Sequence, residues 1–358
     1  MSDDFVKDFE EMKSSKTEVQ EKEEAALKRM EEEWLQPNGK WPALQAPKHN
    51  PDGWLIAIPC WGPWYRKIFK TAFKSHLEAI RILRHVHGPT PVRYVIQTDD
   101  PVWAVGMMKD FEVTVLPPPG KSVDKYDSLA NIHRRALRLA RPNERVALLT
   151  ADIVVSMEAF AAAETHFRRG KRAIVTCATR TLPNWRGVPV GAYSHELLDY
   201  SMEHPHPIIE SCFWGTGKCA LPWAVYFHMG KNTVLRGFHL HPFAVVNDRP
   251  LPFYGTLDIG LLDHFDYKEI HVVTDSYEMA LVEVSRREQE LPQQMVEFGI
   301  FHILTWASAA AGAKHWWNFR HKISIRGSAG LVEADEEVLK WVEQACPYPE
   351  ALAAPVGV

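Results

Sequence analysis

An α/β fold, with a doubly wound first half on a mostly parallel sheet and a mixed second half, is predicted by three observations. From Gly53 onward short apolar runs alternate with helical stretches, the pattern of βα units. Residues 146–151 are apolar almost throughout, as a central parallel strand has to be. After Cys177 this rhythm gives way to loops rich in Pro, Trp and His. A helical extension precedes the whole.

Taken in order, residues 1–36 carry a heptad seam of Phe5, Phe9, Met12, Lys16, Val19, Glu23, Ala26 and Met30, with Glu and Lys at most other positions. They form a candidate amphipathic or coiled-coil helix that docks on the body or pairs with a second copy. Pro37-Asn38-Gly39 ends it, and residues 37–52 form a linker in which Pro42, Pro47 and Pro51 deny the backbone a regular ladder. Strands are expected at 54–59, 92–97, 113–116, 146–151 and 173–177, with helices at 64–85, 126–140 and 157–169, the last capped by Ser156. Further strands are expected at 233–235, 238–246 and 270–273, and helices at 293–313 and 333–345. The domain boundaries that follow are 53–180, 181–290 and a helical region 291–358.

Composition excludes several classes. The chain of 358 residues is 46% hydrophobic and 24% charged, ordinary for a globular protein. Residues 1–34 hold 12 of the 45 acidic and 6 of the 41 basic side chains, so the rest is only slightly positive and not a nucleic-acid binder. Five dispersed cysteines without a Cys-x-x-Cys pair indicate neither a disulfide framework nor a zinc cluster. No apolar run reaches the ~20 residues a membrane span needs. The acidic start, Met1-Ser2-Asp3-Asp4, lacks a secretory n-region, and a cytoplasmic protein is expected. Ile58-Pro59-Cys60-Trp61-Gly62-Pro63 carries neither the dinucleotide nor the Walker spacing, which argues against a dehydrogenase or P-loop enzyme.

Asp152 follows the strand at 146–151, at the carboxyl edge where open α/β sheets bind ligands, and a carboxylate there suits a hard divalent cation, Mn2+ or Mg2+. The competing role is a helix cap, which Ser156 already fills. His239 and His241 would share one face of a strand and converge on one site, or else be core or surface histidines. Asp258, beside Gly255 and Gly260, is the candidate general base, with Asp248 and Asp263 in reserve, although turn aspartates beside glycine are common for backbone reasons. Trp61 offers a stacking face for a nucleobase, or belongs to the core. His315-Trp316-Trp317-Asn318-Phe319-Arg320-His321-Lys322 reads as a basic flap, a patch for membrane or partner, or plain packing.

Lys125-Tyr126-Asp127, then Asn131 and His133, then Val146-Ala147-Leu148-Leu149-Thr150-Ala151-Asp152 together resemble the centre of bacterial GT-A glycosyltransferases, over residues 53–275. The resemblance implies a Rossmann-like nucleotide-binding half, a nucleotide-sugar donor, and a carbohydrate, lipid or protein acceptor. Where that family has Asp-x-Asp this chain has Thr150-Ala151-Asp152, so Asp152 alone carries over as a metal ligand. A late histidine, His241 foremost, is the implied second ligand. Asp99 is implied at the nucleoside, with a helix cap before Pro101 as its competing role, Lys125 and Arg180 at the donor, and Asn184, Trp185 and Arg186 in a sugar-receiving loop. Two rival readings share these residues: a metal-dependent hydrolase built on Asp152, His239 and His241, and a non-catalytic binding or scaffold protein that assembles through residues 1–36.

Overall fold

The computed structural model describes residues 53–118, 125–182, 187–219, 221–229, 232–253, 257–275, 277–287, 296–326 and 333–356. For 125–128, 229, 258, 259, 326 and 333 it describes the backbone alone. The expected helix 1–36, the linker 37–52 and Asn184, Trp185 and Arg186 lie outside the described residues.

The chain runs through β1 (Trp54–Pro59), helix α1 (Pro63–His87), β2 (Val92–Gln97), α2 (Pro101–Met107), β3 (Glu112–Leu116), α3 (Lys125–Leu139) and β4 (Arg145–Leu148). It continues with β5 (Ile153–Val155), α4 (Ala159–Arg168), β6 (Ala173–Thr176), β7 (Ala178–Thr181), two short helices, β8 (Lys218–Cys219), β9 (Ala224–Met229), β10 (Asn232–Gly237) and β11 (His241–Val246). The last strands are β12 (Ile270–Val272), β13 (Leu281–Val284), β14 (Val296–Glu297) and β15 (Ile323–Arg326), interleaved with helices at Ile300–Ala310, Ala313–Phe319 and Glu333–Ala345.

Seven strands form the main sheet in the order β12-β6-β11-β4-β1-β2-β3. Every pairing is parallel except those of β11, which runs antiparallel to both β4 and β6. The predicted α/β class, doubly wound first and mixed later, is what the structure has. Along β1 the strand period of two sends Leu55 and Ala57 to one buried face and Trp54, Ile56 and Ile58 to the other. Both faces are covered, which is why the run is apolar without alternation. Trp54 meets Phe160 of α4 edge-on at 5.0 Å, and Phe160 in turn meets Phe243 of β11 at 5.4 Å. α1 buries Ile68, Phe69, Ala72, Phe73, His76, Ala79, Ile80 and Leu83, a stripe at helical spacing, and stops at Gly88 with φ 83°.

Four expectations are corrected. The strand 146–151 ends at Leu148: the chain turns through Thr150–Asp152 and leaves the main sheet as β5. Ser156 does not cap α4, which begins at Ala159; its buried hydroxyl instead accepts from Ala280 N at 3.0 Å, joining β5 to the approach of β13. The strand expected at 238–246 starts at His241, because Phe238 and His239 bend out of β10 and donate their backbone N–H groups to Trp223 O. The helix expected at 293–313 is Ile300–Ala310, and a separate helix follows Gly312.

β5, β13 and β7 make a second, three-stranded sheet, and β15, β10 and β9 a third. The first of these positions the site, since β13 lies antiparallel to β5 and parallel to β7.

Candidate active site

In the main sheet the chain lays β2 and β3 to one side of β1, then crosses to place β4 on the other. Order reverses between β1 and β4, and the crevice beyond their carboxyl ends is where open α/β sheets take ligands. Cys60, Trp61 and Gly62 leave β1 there, Thr98 and Asp99 leave β2, and Thr150 to Asp152 leave β4. Cys60 ties the three together: burial pushes its thiol up, and of the nearby charges Arg66 lowers it while Asp99 and Asp152 raise it further.

Asp152 is 3% exposed. The turn that carries it is held by Thr150, whose hydroxyl donates to Asp152 Oδ1 at 2.6 Å, and by Val284 N, which donates to Asp152 O at 2.9 Å. Its carboxyl is held well above the ordinary carboxylate range, by burial first and by the charge of Glu283 second; the Thr150 bond and Arg180 only partly offset this. Glu283 stands on β13 opposite Ile153, the residue after Asp152. Arg180, on the other neighbour β7, donates to Glu283 Oε2 at 2.8 Å, and Ser285 donates to Oε1 at 2.7 Å. The second sheet thus brings the charges of Glu283 and Arg180 to bear on Asp152, one raising and one lowering its proton affinity.

Asp99 forms a second arm. Its Oδ1 accepts from Gly62 N at 3.1 Å and from Arg66 of α1 at 2.5 Å. Burial raises its proton affinity, and the Arg66 and Gly62 donors outweigh that and hold it below the usual range. Gly62 sits at φ 83°, a left-handed conformation an L side chain rarely adopts, so the turn from β1 into α1 calls for glycine. The helix-capping duty at the end of β2 falls to Asp100, which accepts from Trp103 N at 3.0 Å and leaves Asp99 to the crevice. Trp61 is half-buried beside this arm. Arg286, just beyond β13, lies 3.8 Å over the ring of Trp64 in the first turn of α1 and closes one wall by a cation–π contact.

Asp152 and Arg180 thus interact electrostatically, Cys60 feels both Asp152 and Asp99, and Trp61 follows Cys60 at the same edge of the sheet. The histidines do not join Asp152 as a ligand set: among the described residues, the group of three such side chains with donor atoms within 4.8 Å of one another is His166, His271 and Glu278. His241 bonds Leu148 O through Nε2 at 2.9 Å and His133 bonds Leu149 O at 3.3 Å, so two imidazoles hold the last residue of β4 and the one after it. Burial, chiefly, lowers His133 to about 4, which keeps that ring neutral at physiological pH. His239 stacks on His315 at 4.4 Å and against Trp306 at 5.0 Å. Trp316, Trp317 and Phe319 are buried as well, and the 315–322 segment is packing. Lys125 opens α3 and Asp258 lies in the short helix Leu257–Gly260, with side chains outside the description. Asp248 is held by Arg249 at 2.9 Å and by Arg172 at 3.2 Å.

Glu283 is the residue sequence reasoning missed. One signal was available: it is the lone charge in Ala280-Leu281-Val282-Glu283-Val284, and a charge inside an apolar run needs a partner.

No protein-family model matches the chain, and no curated protein matches its sequence. Among solved structures, S. aureus TarS 1–349 is 12% identical over 82% of this chain and 71% of its own, with a TM-score of 0.35. A mycobacterial protein is 14% identical over 74% and 80%, at 0.31. A putative glucose-1-phosphate thymidylyltransferase from Bacillus anthracis, in complex with a sucrose, is 15% identical over 37% and 56%, at 0.24. No helix among the described residues is long and apolar enough to cross a membrane.

Proposed function

We propose that the chain is a metal-assisted glycosyltransferase of the GT-A kind, moving a sugar from a nucleotide-sugar donor to a carbohydrate, lipid or protein acceptor. The observation that carries this reading is the buried Asp152 carboxyl, raised by the charge of the half-buried Glu283, at the β1/β4 reversal. Burial and the charge of Glu283 make Asp152 resist ionisation, and a hard divalent cation with oxygen preference would remove that conflict, so the donor set fits Mn2+ or Mg2+. When bound, such an ion neutralises the diphosphate that leaves as the sugar is transferred.

The remaining roles follow from position. Arg180 pairs with Glu283 and offsets the charge on Asp152, and we assign it to the donor diphosphate. Asp99, fixed by Arg66 and Gly62, presents its other oxygen to the nucleoside, and Trp61 offers the base a stacking face. His241 and His133 position β4's end and hence the turn bearing Asp152. Lys125 contributes a cation on the donor side, and Asp258 is the group we assign to deprotonating the acceptor hydroxyl.

The test is a thermal-shift screen of UDP, GDP, dTDP, CDP and ADP with and without Mn2+. A ligand present at 100 times its Kd stabilises the native state by about 2.7 kcal/mol through mass action. One nucleotide raising the melting temperature only with the ion supports the reading; no shift with any of them overturns it.

A further inference from the structure

We infer that His166, His271 and Glu278 form a zinc site, separate from the crevice, that ties α4, the edge strand β12 and the turn before β13 to one ion. His166 Nε2 lies 2.8 Å and His271 Nε2 2.7 Å from the same oxygen, Glu278 Oε1. The two imidazoles stack face to face with centroids 3.5 Å apart and planes 16° apart, and each presents its Nε2 to that one carboxylate oxygen. The side chains are 17%, 21% and 22% exposed, sheltered yet open to an arriving ion.

Two imidazole nitrogens and one carboxylate are a donor set zinc takes while keeping a fourth position for water, and they are too soft a set for Mg2+ or Ca2+. Without an ion both rings must carry their proton on Nε2 to satisfy Glu278. With zinc the proton of each ring moves to Nδ1, the Nε2 lone pairs face the ion, and no net proton leaves either ring. The donor atoms then open to about 3.3 Å from one another, the separation that tetrahedral bonds of roughly 2.0–2.1 Å require. The rings must also fan out of their stack by rotation about their Cβ–Cγ bonds, because lone pairs in nearly parallel planes do not meet at one ion. Zinc here clamps a sheet edge to the segment five residues ahead of Glu283, and so stiffens β13 in the frame around Asp152.

The experiment uses the full chain, stripped with chelator and dialysed against ZnCl2. One Zn2+ should bind per chain and raise the melting temperature. His271→Ala and the isosteric Glu278→Gln should each weaken zinc by more than roughly 100-fold, since even loss of an outer partner of a ligand costs about 10–100-fold. Asp152→Asn should bind zinc as the parent does, which separates this site from the crevice. Co2+ in place of zinc should give visible d–d bands and no thiolate charge-transfer band. Absence of stoichiometric zinc would overturn the inference. So would zinc retained in both His271→Ala and Glu278→Gln, or a thiolate band that disappears in Cys212→Ser, whose sulfur lies 3.8 Å from that of Cys219.

Discussion

Asp152 and Glu278 are both sheltered carboxylates near the second sheet, and they are displaced in opposite directions. Burial raises the proton affinity of each. For Glu278 the hydrogen bonds from His166 and His271 overrule burial and hold the carboxyl down to about 2. For Asp152 the neighbour is Glu283, which adds to burial, and the carboxyl moves up. What a carboxylate buried in this protein does is thus decided by the sign of its partner. The first has found its donors within the chain. The second has been given a competitor, which is a reason to look for a cation supplied from outside.

The largest expected effect breaks the comparison at its acidic end. Asp152→Asn keeps the shape of the turn and the Thr150 contact and removes the charge proposed to draw the ion. If the ion contributes several kcal/mol to the leaving diphosphate, transfer should fall by roughly 10²–10⁴-fold, at about 1.36 kcal/mol per decade. Nucleotide release from the donor found in the thermal screen measures it, and full activity in this variant would refute the role given to Asp152.

Next comes Glu278→Gln, read in chelator so that no ion intervenes. The sign is that of a depressed acid: its stabilisation is present above the ordinary value of 4.5 and is lost as pH falls through about 2. The variant should lose about 1.5–3 kcal/mol at pH 7, the range for a hydrogen bond to a charged group. Urea midpoints should show that gap closing from pH 4.5 downward. A gap independent of pH would mean that shape, and not charge, is what Glu278 contributes.

Asp152 carries the reverse sign. A raised carboxyl favours the folded state fully below 3.8, and that advantage is lost as pH rises through its folded value. In chelator, Asp152→Asn should therefore be more stable than the parent at pH 8, by about 1 kcal/mol or roughly 2–4 °C, and equal to it near pH 3.5. Calorimetry at the two pH values decides. A parent that is the more stable at pH 8 would mean that Arg180 and Thr150 already satisfy the carboxylate.

How far all this was legible in the sequence depends on whether neighbours in space were neighbours in the chain. β1 and β2 could be read to the residue because both faces are covered and the apolar run is unbroken. Helix Glu333–Ala345 was readable because its apolar stripe recurs at helical spacing. β4 was overread by three residues, since Leu149 and Ala151 remain apolar after the ladder ends and nothing local marks the turn. Asp152 was visible because it follows a strand. Glu283 was not, because its meeting with Asp152 is made by β13 returning from far along the chain to lie between β5 and β7. The pairing of His239 with His241 failed for the converse reason: spacing by two implies a shared face only within a strand, and the strand begins at His241.

The smallest expected effect concerns Asp99, whose partners are again positive but whose pair with Arg66 is 40% and 24% exposed. Water screens such a pair, and its net worth is about 0–1 kcal/mol. Asp99→Asn keeps an oxygen for Gly62 N and gives up the charge, so the fold should barely notice. A nucleoside should notice more, because a hydroxyl bonded to this carboxylate is worth about 0.5–1.5 kcal/mol net, or roughly two- to tenfold in Kd. Calorimetric titration with the nucleotide from the thermal screen separates the two roles. Weaker binding at unchanged stability puts Asp99 on the nucleoside. Unchanged binding would confine it to bracing Arg66 and the Gly62 turn, and the crevice would then owe its affinity to the ion at Asp152 and Glu283.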